Sequence, residues 1–185
     1  MDRKIGDGDH GVTMNIGWMA VKEKLSTINP SDGFHKICTQ IASSFLSAVG
    51  ASAGPLYATA LMRGGGAVKD KNSLDAMSFS LFLNAAANGI KERGKAEIGD
   101  KTMLDVWIPA ADEMKKKASE GANLMEALEC TVNTAENAMN NTKNLLAKKG
   151  RSSKLGNRSI GHIDPGAASS FAIINSIFQT LKEMN

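Results

Sequence analysis

The chain of 185 residues is long enough for one domain with a sizeable core, and we expect a single domain over residues 1–185. Its net charge of +3 is small, and its basic runs carry no interleaved aromatic residues, which argues against a nucleic-acid-binding protein. The longest apolar runs are too short to cross a membrane, and no signal peptide precedes the first motif, so we expect a cytoplasmic protein. Cys38 and Cys130 lack metal-ligand spacing and are expected to be reduced thiols.

Apolar residues recur at helical spacing along most of the chain, and no segment shows the alternation that is typical of a strand. In chain order, the spacing predicts helices over about residues 12–25, 35–49, 54–63, 73–93, 103–119, 123–149 and 164–184. The predicted fold class is therefore all-α, an up-and-down bundle of about seven helices.

Local residues mark several of the predicted helix ends. Residues 29–33 contain proline, glycine and capping residues and predict a break after the first helix. Pro55 is predicted at the first position of the third helix, and the glycines at 64–66 are predicted to end that helix. Asn123, followed three residues later by Glu126, resembles a capping box at the start of the sixth helix.

Glycines and charged residues collect in four of the connections between helices. These connections are residues 4–11, 50–54, 93–102 and 150–166. Alternate connections of an up-and-down bundle lie at the same end. The sequence therefore predicts that these four segments converge on one site.

The stretch "KIGDGDHGVTM", residues 4–14, contains the clearest candidate for a metal site. Asp7 and Asp9 are separated by one glycine, and Asp2 can supply a third carboxylate, a donor set that suits Mg²⁺. An EF-hand loop is excluded because its twelfth position lacks the required Glu. A solvated turn remains the alternative for this stretch, and His10 is open to a structural or a functional role.

Three further segments contain features of an anion site. Small residues in "GASAGPLY", residues 50–57, precede a helix whose N-terminus can bind an anion, although close helix packing explains them equally well. Asp164 in "HIDPGAASS" is open to a ligand role or to a role as helix N-cap. Arg151 suits phosphate contact, and a plain surface charge is the alternative. No Walker P-loop or nucleophile elbow is present. Together, the segments favour a Mg²⁺–nucleotide site.

Several motifs resemble the ADP-binding subunit family of dihydroxyacetone kinase, called DhaL. The motifs, in the order of that family, are "DRKIGDGDHG", "GPLY", "RGKAEIGDKTMLDVW", "KKGRSSKLGNRSIGH" and "DPGA". The resemblance implies an antiparallel barrel of eight helices with the nucleotide at one end. Three features depart from the family. We expect the family's first helix to be absent, Thr13 stands where Asn is frequent, and the serine of the family's "GASGPL" is displaced to Ser52.

The resemblance also implies roles for individual residues. Asp2, Asp7 and Asp9 would hold two Mg²⁺ ions that bridge to the phosphates of ADP or ATP, and they would act with His10 in catalysis. The remaining nucleotide contacts that it implies are Gly11, Val12 and Thr13 beside the phosphates, Ser52 and Ala53 at the third helix, and Gly94, Met103, Arg151 and Asp164 around the rest of the pocket.

The implied activity is phosphoryl transfer to dihydroxyacetone that is bound on a separate DhaK-type subunit. ADP would be rephosphorylated by a DhaM-type protein of the phosphotransferase system. A version of the family that uses exchangeable ATP, and a non-catalytic nucleotide sensor, are the alternatives, and a homodimer is left open. No nucleic-acid or membrane partner is expected.

Overall fold

The computed structural model describes residue 2, residues 5–29 and residues 31–184. The described residues form helices and connections, with no strand among them, so the all-α prediction is confirmed. The α-helices are α1 His10–Leu25, α2 Phe34–Ala48, α3 Ala53–Ala67, α4 Ala76–Gly94, α5 Leu104–Ser119, α6 Leu124–Asn141 and α7 Pro165–Met184. Two 3-10 helices, Thr142–Asn144 and Arg151–Ser159, follow α6.

The seven α-helices form a ring in chain order. Each helix packs against the next one, and α7 returns to contact α1. The first residues of α1, α3 and α7, the residues directly before α5 and the last turn of α4 all line one cavity. Successive helices therefore run in opposite directions, and this end of the ring collects helix N-termini. None of the described helices is long and apolar enough to cross a membrane.

The interior of the ring is filled by apolar side chains from every α-helix. Phe45 of α2 lies at its centre, with its ring 5.2 Å from that of Trp18 and 5.9 Å from that of Tyr57. Leu104 and Leu128 are completely buried. Each such side chain contributes about 1.5–3 kcal/mol through removal of apolar surface from water.

The predicted start and end of α3 were both wrong. The helix begins at Ala53, so Pro55 occupies its third position, and the glycines do not end it because it continues to Ala67. A Cβ atom at Gly64 would lie 2.7 Å from the Phe82 ring, and one at Gly65 would lie 2.4 Å from the Cβ of Cys38. These glycines therefore let α4 and α2 approach α3 closely, which outweighs their low helix propensity.

The predicted capping box at the start of α6 is confirmed. The Glu126 amide donates to the Asn123 side chain at 3.0 Å, and the Asn123 amide donates to the Glu126 carboxylate at 3.1 Å. The predicted end of α6 near residue 149 was wrong, because the helix ends at Asn141. The buried Thr142 hydroxyl group donates to the Met139 carbonyl and accepts from the Asp164 amide, which fixes the chain in a new direction.

Two other predicted segments also differ from the structure. Residues 150–166 were predicted as a loop, but they contain the 3-10 helix Arg151–Ser159, interrupted at Gly156, where φ is +53°. The fourth helix begins at Ala76 and not at 73, because the Asp75 side chain accepts from the Ser78 amide at 2.7 Å and caps the helix there. In the predicted break at 29–33, Pro30 lies outside the described residues.

Candidate functional site

A cavity of about 510 Å³ opens at the end of the ring where the helix N-termini collect. All four glycine-rich and charged segments that the sequence predicted to converge contribute to its wall. The lining residues include Asp2, Gly6, Asp7, Asp9, His10, Thr13, Ala51, Ser52, Ala53, Arg93, Gly94, Lys101, Thr102, Met103, Lys149, Arg151, Asp164 and Gly166.

The predicted carboxylate triad is brought together on one side of the cavity. One carboxylate oxygen from each of Asp2, Asp7 and Asp9 lies within 4.8 Å of the others. A Cβ atom at Gly6 would lie 2.0 Å from the Asp2 carboxylate, so a side chain there would displace this carboxylate. Gly8 has φ of +81°, which turns the chain between the other two aspartates. Three carboxylate oxygens at this spacing fit a divalent cation with oxygen ligands.

His10 joins this triad to a chain of hydroxyl groups that leads to the buried Tyr57. Its backbone amide donates to the Asp2 carboxylate at 2.9 Å. Its Nε2 atom lies 3.0 Å from the Ser169 hydroxyl group, which in turn lies 2.7 Å from the Tyr57 hydroxyl group. Burial lowers the pKa of His10, although Asp2 and Asp9 act in the opposite direction. Burial also raises the pKa of Tyr57 to about 12, so both side chains are neutral near pH 7.

The N-terminus of α3 faces the cavity without a side-chain cap. Ser52 is the N-cap residue and is exposed, and it makes no side-chain bond to the first turn. The first turn also contains no acidic residue. The Gly54 amide donates to the Ala51 carbonyl at 2.9 Å, and Pro55 has no N–H. The amides of Ser52 and Ala53 and the positive end of the helix dipole are therefore the features that suit an anion. The packing explanation holds as well, because a Cβ atom at Gly54 would lie 2.0 Å from the Val49 carbonyl oxygen.

Arg151 is far from the triad in sequence but contacts two of its aspartates. Its guanidinium group is paired with the Asp7 carboxylate and lies 3.6 Å from the Asp9 carboxylate. The next residue, Ser152, is buried and donates to the Ile5 carbonyl at 2.8 Å. The segment that begins at Arg151 therefore contacts residues 5–9, the aspartate loop, in two ways: an ion pair between side chains and a hydrogen bond from a side chain to a backbone carbonyl.

Asp164 has the N-cap role that the sequence left open, and it also lines the cavity. Its carboxylate accepts from the Ala167 amide at 2.8 Å at the start of α7. Burial raises the pKa of Asp164 to about 6, and Asp105 adds to the effect, while the Ala167 bond and Lys101 oppose it. The group is thus a buried carboxylate that stays charged at neutral pH at a cost to stability.

The other predicted nucleotide contacts divide into two groups. Thr13, Ala53, Gly94 and Met103 line the cavity. Gly11 and Val12 are exposed on the first turn of α1 and do not line it. The nucleotide contacts of both groups remain predictions.

Lys101 is a cavity residue that the sequence analysis missed. Its side chain is almost completely buried, and its backbone is in the left-handed region, with φ of +62°. It lies in a connection between helices, where a lysine is ordinarily exposed. No periodicity in the sequence signals its burial.

Residues 4–179 match the DAK2 domain family. The chain belongs to this family. It is 40% identical to "PEP-dependent dihydroxyacetone kinase, ADP-binding subunit DhaL" of Escherichia coli, over 99% of this chain and 87% of the relative. It is 37% identical to subunit DhaL of the PEP-dependent dihydroxyacetone kinase 1 of Listeria innocua, over 97% of this chain and 84% of the relative.

These names confirm the resemblance to the DhaL family and the expected enzyme class, a phosphotransferase. Among solved structures, the dihydroxyacetone kinase from C. freundii in complex with AMP-PNP and Mg²⁺ matches with a TM-score of 0.72 and 20% identity. The match covers 97% of this chain and 29% of that one, and it confirms the helical fold.

Proposed function

We propose that this chain is the nucleotide-binding subunit of a dihydroxyacetone kinase and binds ADP or ATP with Mg²⁺ in the cavity. The observation that carries the proposal is the position of the Asp2, Asp7 and Asp9 carboxylates beside the uncapped N-terminus of α3. The two features select opposite charges, a divalent cation and a phosphate group. The names of the DhaL relatives, which are ADP-binding subunits, support the same ligand.

Each proposed ligand contact follows from the chemistry of the residue. The triad would hold two Mg²⁺ ions, which supply charge neutralisation for phosphoryl transfer when bound. The N–H groups at Ser52 and Ala53 donate to phosphate oxygens, and the Arg151 guanidinium group offers a second set of donors. His10 is kept neutral by burial, so its ring acts as a hydrogen-bond partner and adds no charge.

A second part of the cavity wall would enclose the nucleoside. Gly94 ends α4 and Met103 precedes α5, and both line the cavity. Met103 is also largely buried, which provides an apolar contact for a base. The buried Asp164 carboxylate is an acceptor on the same wall.

The phosphoryl acceptor in this proposal is dihydroxyacetone on a DhaK-type partner subunit. ADP would stay bound and would be rephosphorylated by a DhaM-type protein, because the relatives with the reported identities are named PEP-dependent. Exchange of ATP for ADP at each turnover is the alternative donor scheme, and a nucleotide sensor without catalysis is the alternative function.

The first experiment measures nucleotide content and Mg²⁺-dependent binding. The chain is purified, dialysed and denatured, and released nucleotide is quantified. About one ADP per chain supports the bound-coenzyme scheme, whereas an empty protein that binds both nucleotides reversibly supports exchange of ATP. Failure to bind either nucleotide with Mg²⁺ would contradict the proposal.

A variant pair tests the triad. Asp7→Asn removes one carboxylate of the triad, and Asp112→Asn removes an exposed carboxylate on α5 as a control. With Mg²⁺ and ADP at about 100 times Kd, the unmodified chain should gain about 2.7 kcal/mol of stability. Asp112→Asn should keep this gain, and Asp7→Asn should lose most of it. Phosphorylation of dihydroxyacetone after addition of a DhaK-type subunit separates the kinase from the sensor.

A further inference from the structure

Lys101 is a buried cation that joins two distant parts of the chain. Its side chain is 1% exposed, although it follows a glycine-containing loop at the edge of the cavity. Its Nζ atom donates to the Leu145 carbonyl at 3.1 Å and to the Ser159 carbonyl at 2.5 Å. The two acceptors lie near the two ends of one segment, residues 145–159. A single ammonium group therefore holds both ends of that segment.

Neighbouring contacts join the same two parts of the structure. The Lys148 amide donates to the Asp100 carbonyl at 3.0 Å, and the Lys148 ammonium lies 3.7 Å from the Asp100 carboxylate. Within the segment, the Ala147 amide donates to the Ser159 hydroxyl group at 3.0 Å. The loop before α5, through Asp100 and Lys101, thus binds residues 145–159.

The segment held by Lys101 carries side chains that contact the aspartate loop. Arg151 is paired with Asp7, and the Ser152 hydroxyl group donates to the Ile5 carbonyl at 2.8 Å. Arg151 is exposed, and its guanidinium group pairs with Asp7 and lies near Asp9, so its position depends on these carboxylates and on the backbone that carries it. The backbone of residues 145–159 therefore connects the hydrogen bonds of Lys101 to Arg151.

Burial of this ammonium group costs desolvation free energy, which favourable interactions must offset. Desolvation lowers the pKa of Lys101, whereas Asp164 acts to raise it. A buried charge is tolerated when it is hydrogen-bonded and faces an opposite charge. An apolar side chain would fill the same space without the desolvation cost, but it would leave the buried Ser159 carbonyl and the half-buried Leu145 carbonyl without this donor. The hydrogen bonds of the lysine thus hold residues 145–159 in place.

We propose that Lys101 is a positioning residue that sets the affinity for Mg²⁺–nucleotide by holding the Arg151-bearing segment against the cavity. It acts through the carbonyl groups of Leu145 and Ser159 and not by contact with the nucleotide. The affinity part of this inference rests on the proposed function, whereas the placement of the segment does not.

The first test measures the segment itself in the nucleotide-free chain. Lys101→Met removes the ammonium group and keeps most of the side-chain volume, and Lys154→Met removes an exposed lysine from the same segment as a control. Hydrogen exchange of the amides in residues 145–160 should become about tenfold faster or more in Lys101→Met, with α2 and α3 unchanged. The Lys154→Met variant should match the unmodified chain. Unchanged exchange in Lys101→Met would overturn the proposal.

A double-mutant cycle with Arg151→Gln tests the route of the effect. Lys101→Met should weaken Mg²⁺–ADP binding about tenfold or more in the unmodified chain, but less than about twofold when Arg151 is already replaced. An equal loss in both backgrounds would mean direct contact or general destabilisation, and it would overturn the proposal. The turnover rate at saturating nucleotide should fall much less than the affinity in Lys101→Met.

These experiments distinguish failure of the proposed function from failure of the positioning role of Lys101. Failure of the unmodified chain to bind nucleotide would contradict the proposed function and leave the exchange measurement to decide on Lys101. Lys101→Gln, which retains one amide donor, is the second variant if Lys101→Met does not fold. Loss of folding in both variants would overturn the positioning role, since Lys101 would then be a requirement of the fold.

Discussion

Replacement of Asp164 by asparagine should stabilise the nucleotide-free protein at pH 8 and leave its stability nearly unchanged at pH 4. The carboxylate is 8% exposed, and burial is the main cause of its raised pKa. Asparagine retains the oxygen that accepts from the Ala167 amide, so the cap of α7 is kept. The change therefore removes a buried charge together with its attraction to Lys101, and burial is the larger of these two opposing effects.

The size of the effect follows from the two pKa values. The pKa rises from an ordinary 3.8 to about 6 in the folded chain. Between these values the folded state binds more protons than the unfolded state, so stability falls as pH rises. The loss from this group develops between about pH 4 and pH 6 and totals about 2–3 kcal/mol above pH 7. The Asp164→Asn variant escapes this loss. Lys101, Asp105 and Tyr57 are the other titratable groups that interact with the carboxylate, and they are present in both proteins.

Urea unfolding at several values between pH 4 and pH 8 measures the effect, and the difference between the two proteins removes the contribution of other groups. Asp105→Asn is the matched control. Its carboxylate accepts from the Gly99 amide at 2.5 Å and the Thr102 amide at 2.7 Å, so an amide nitrogen would face one of these donors. This control should lose about 1–3 kcal/mol at pH 8. A difference for Asp164→Asn that does not change with pH, or a loss of stability at pH 8, would refute the reasoning.

Three further predictions concern the fold. Gly54→Ala should lower stability in urea unfolding by about 1–3 kcal/mol through overpacking, whereas Gly50→Ala, whose Cβ would meet nothing within 4 Å, should be nearly neutral. Thr142→Val should cost about 1–3 kcal/mol in the same assay, because its buried hydroxyl group makes two hydrogen bonds. Burial raises the pKa of Cys38 to about 11, so iodoacetamide at pH 8 should label the half-buried Cys130 first, and equal rates would contradict this.

Helix ends could be predicted from the sequence where local side chains decide them. Asn123 and Glu126 cap each other within four residues, and Asp164 caps α7 within three. The end of α3 could not be predicted in this way. Gly64 and Gly65 lie inside the helix because Phe82 and Cys38 occupy the space that a side chain would need. That reason exists only after α2 and α4 have packed, so tertiary contact overrides the local preference of glycine.

The convergence of four segments could be predicted because it depends only on the alternation of helix directions. The odd-numbered helices begin at one end of the ring, and α4 ends there. The role of Lys101 could not be predicted, because its hydrogen-bond acceptors lie 44 and 58 residues further along the chain. Its neighbours in the sequence contain no sign of that contact.

The charges around the cavity favour a cation and an anion together over either alone. The carboxylates of Asp2, Asp7 and Asp9 would repel a phosphate group that arrived without a metal ion. The N-terminus of α3, which has no side-chain cap, carries positive partial charge that a phosphate group stabilises and a metal ion alone does not. In a metal–phosphate complex, the metal ion faces the carboxylates and the phosphate group faces the N-terminus of α3. In the free protein, the guanidinium group of Arg151 pairs with Asp7 and neutralises part of the negative charge of the triad. Binding of a metal–phosphate complex should therefore replace this ion pair by contacts of Asp7 with the metal ion and of Arg151 with the phosphate. Nucleotide affinity should therefore depend steeply on Mg²⁺ concentration.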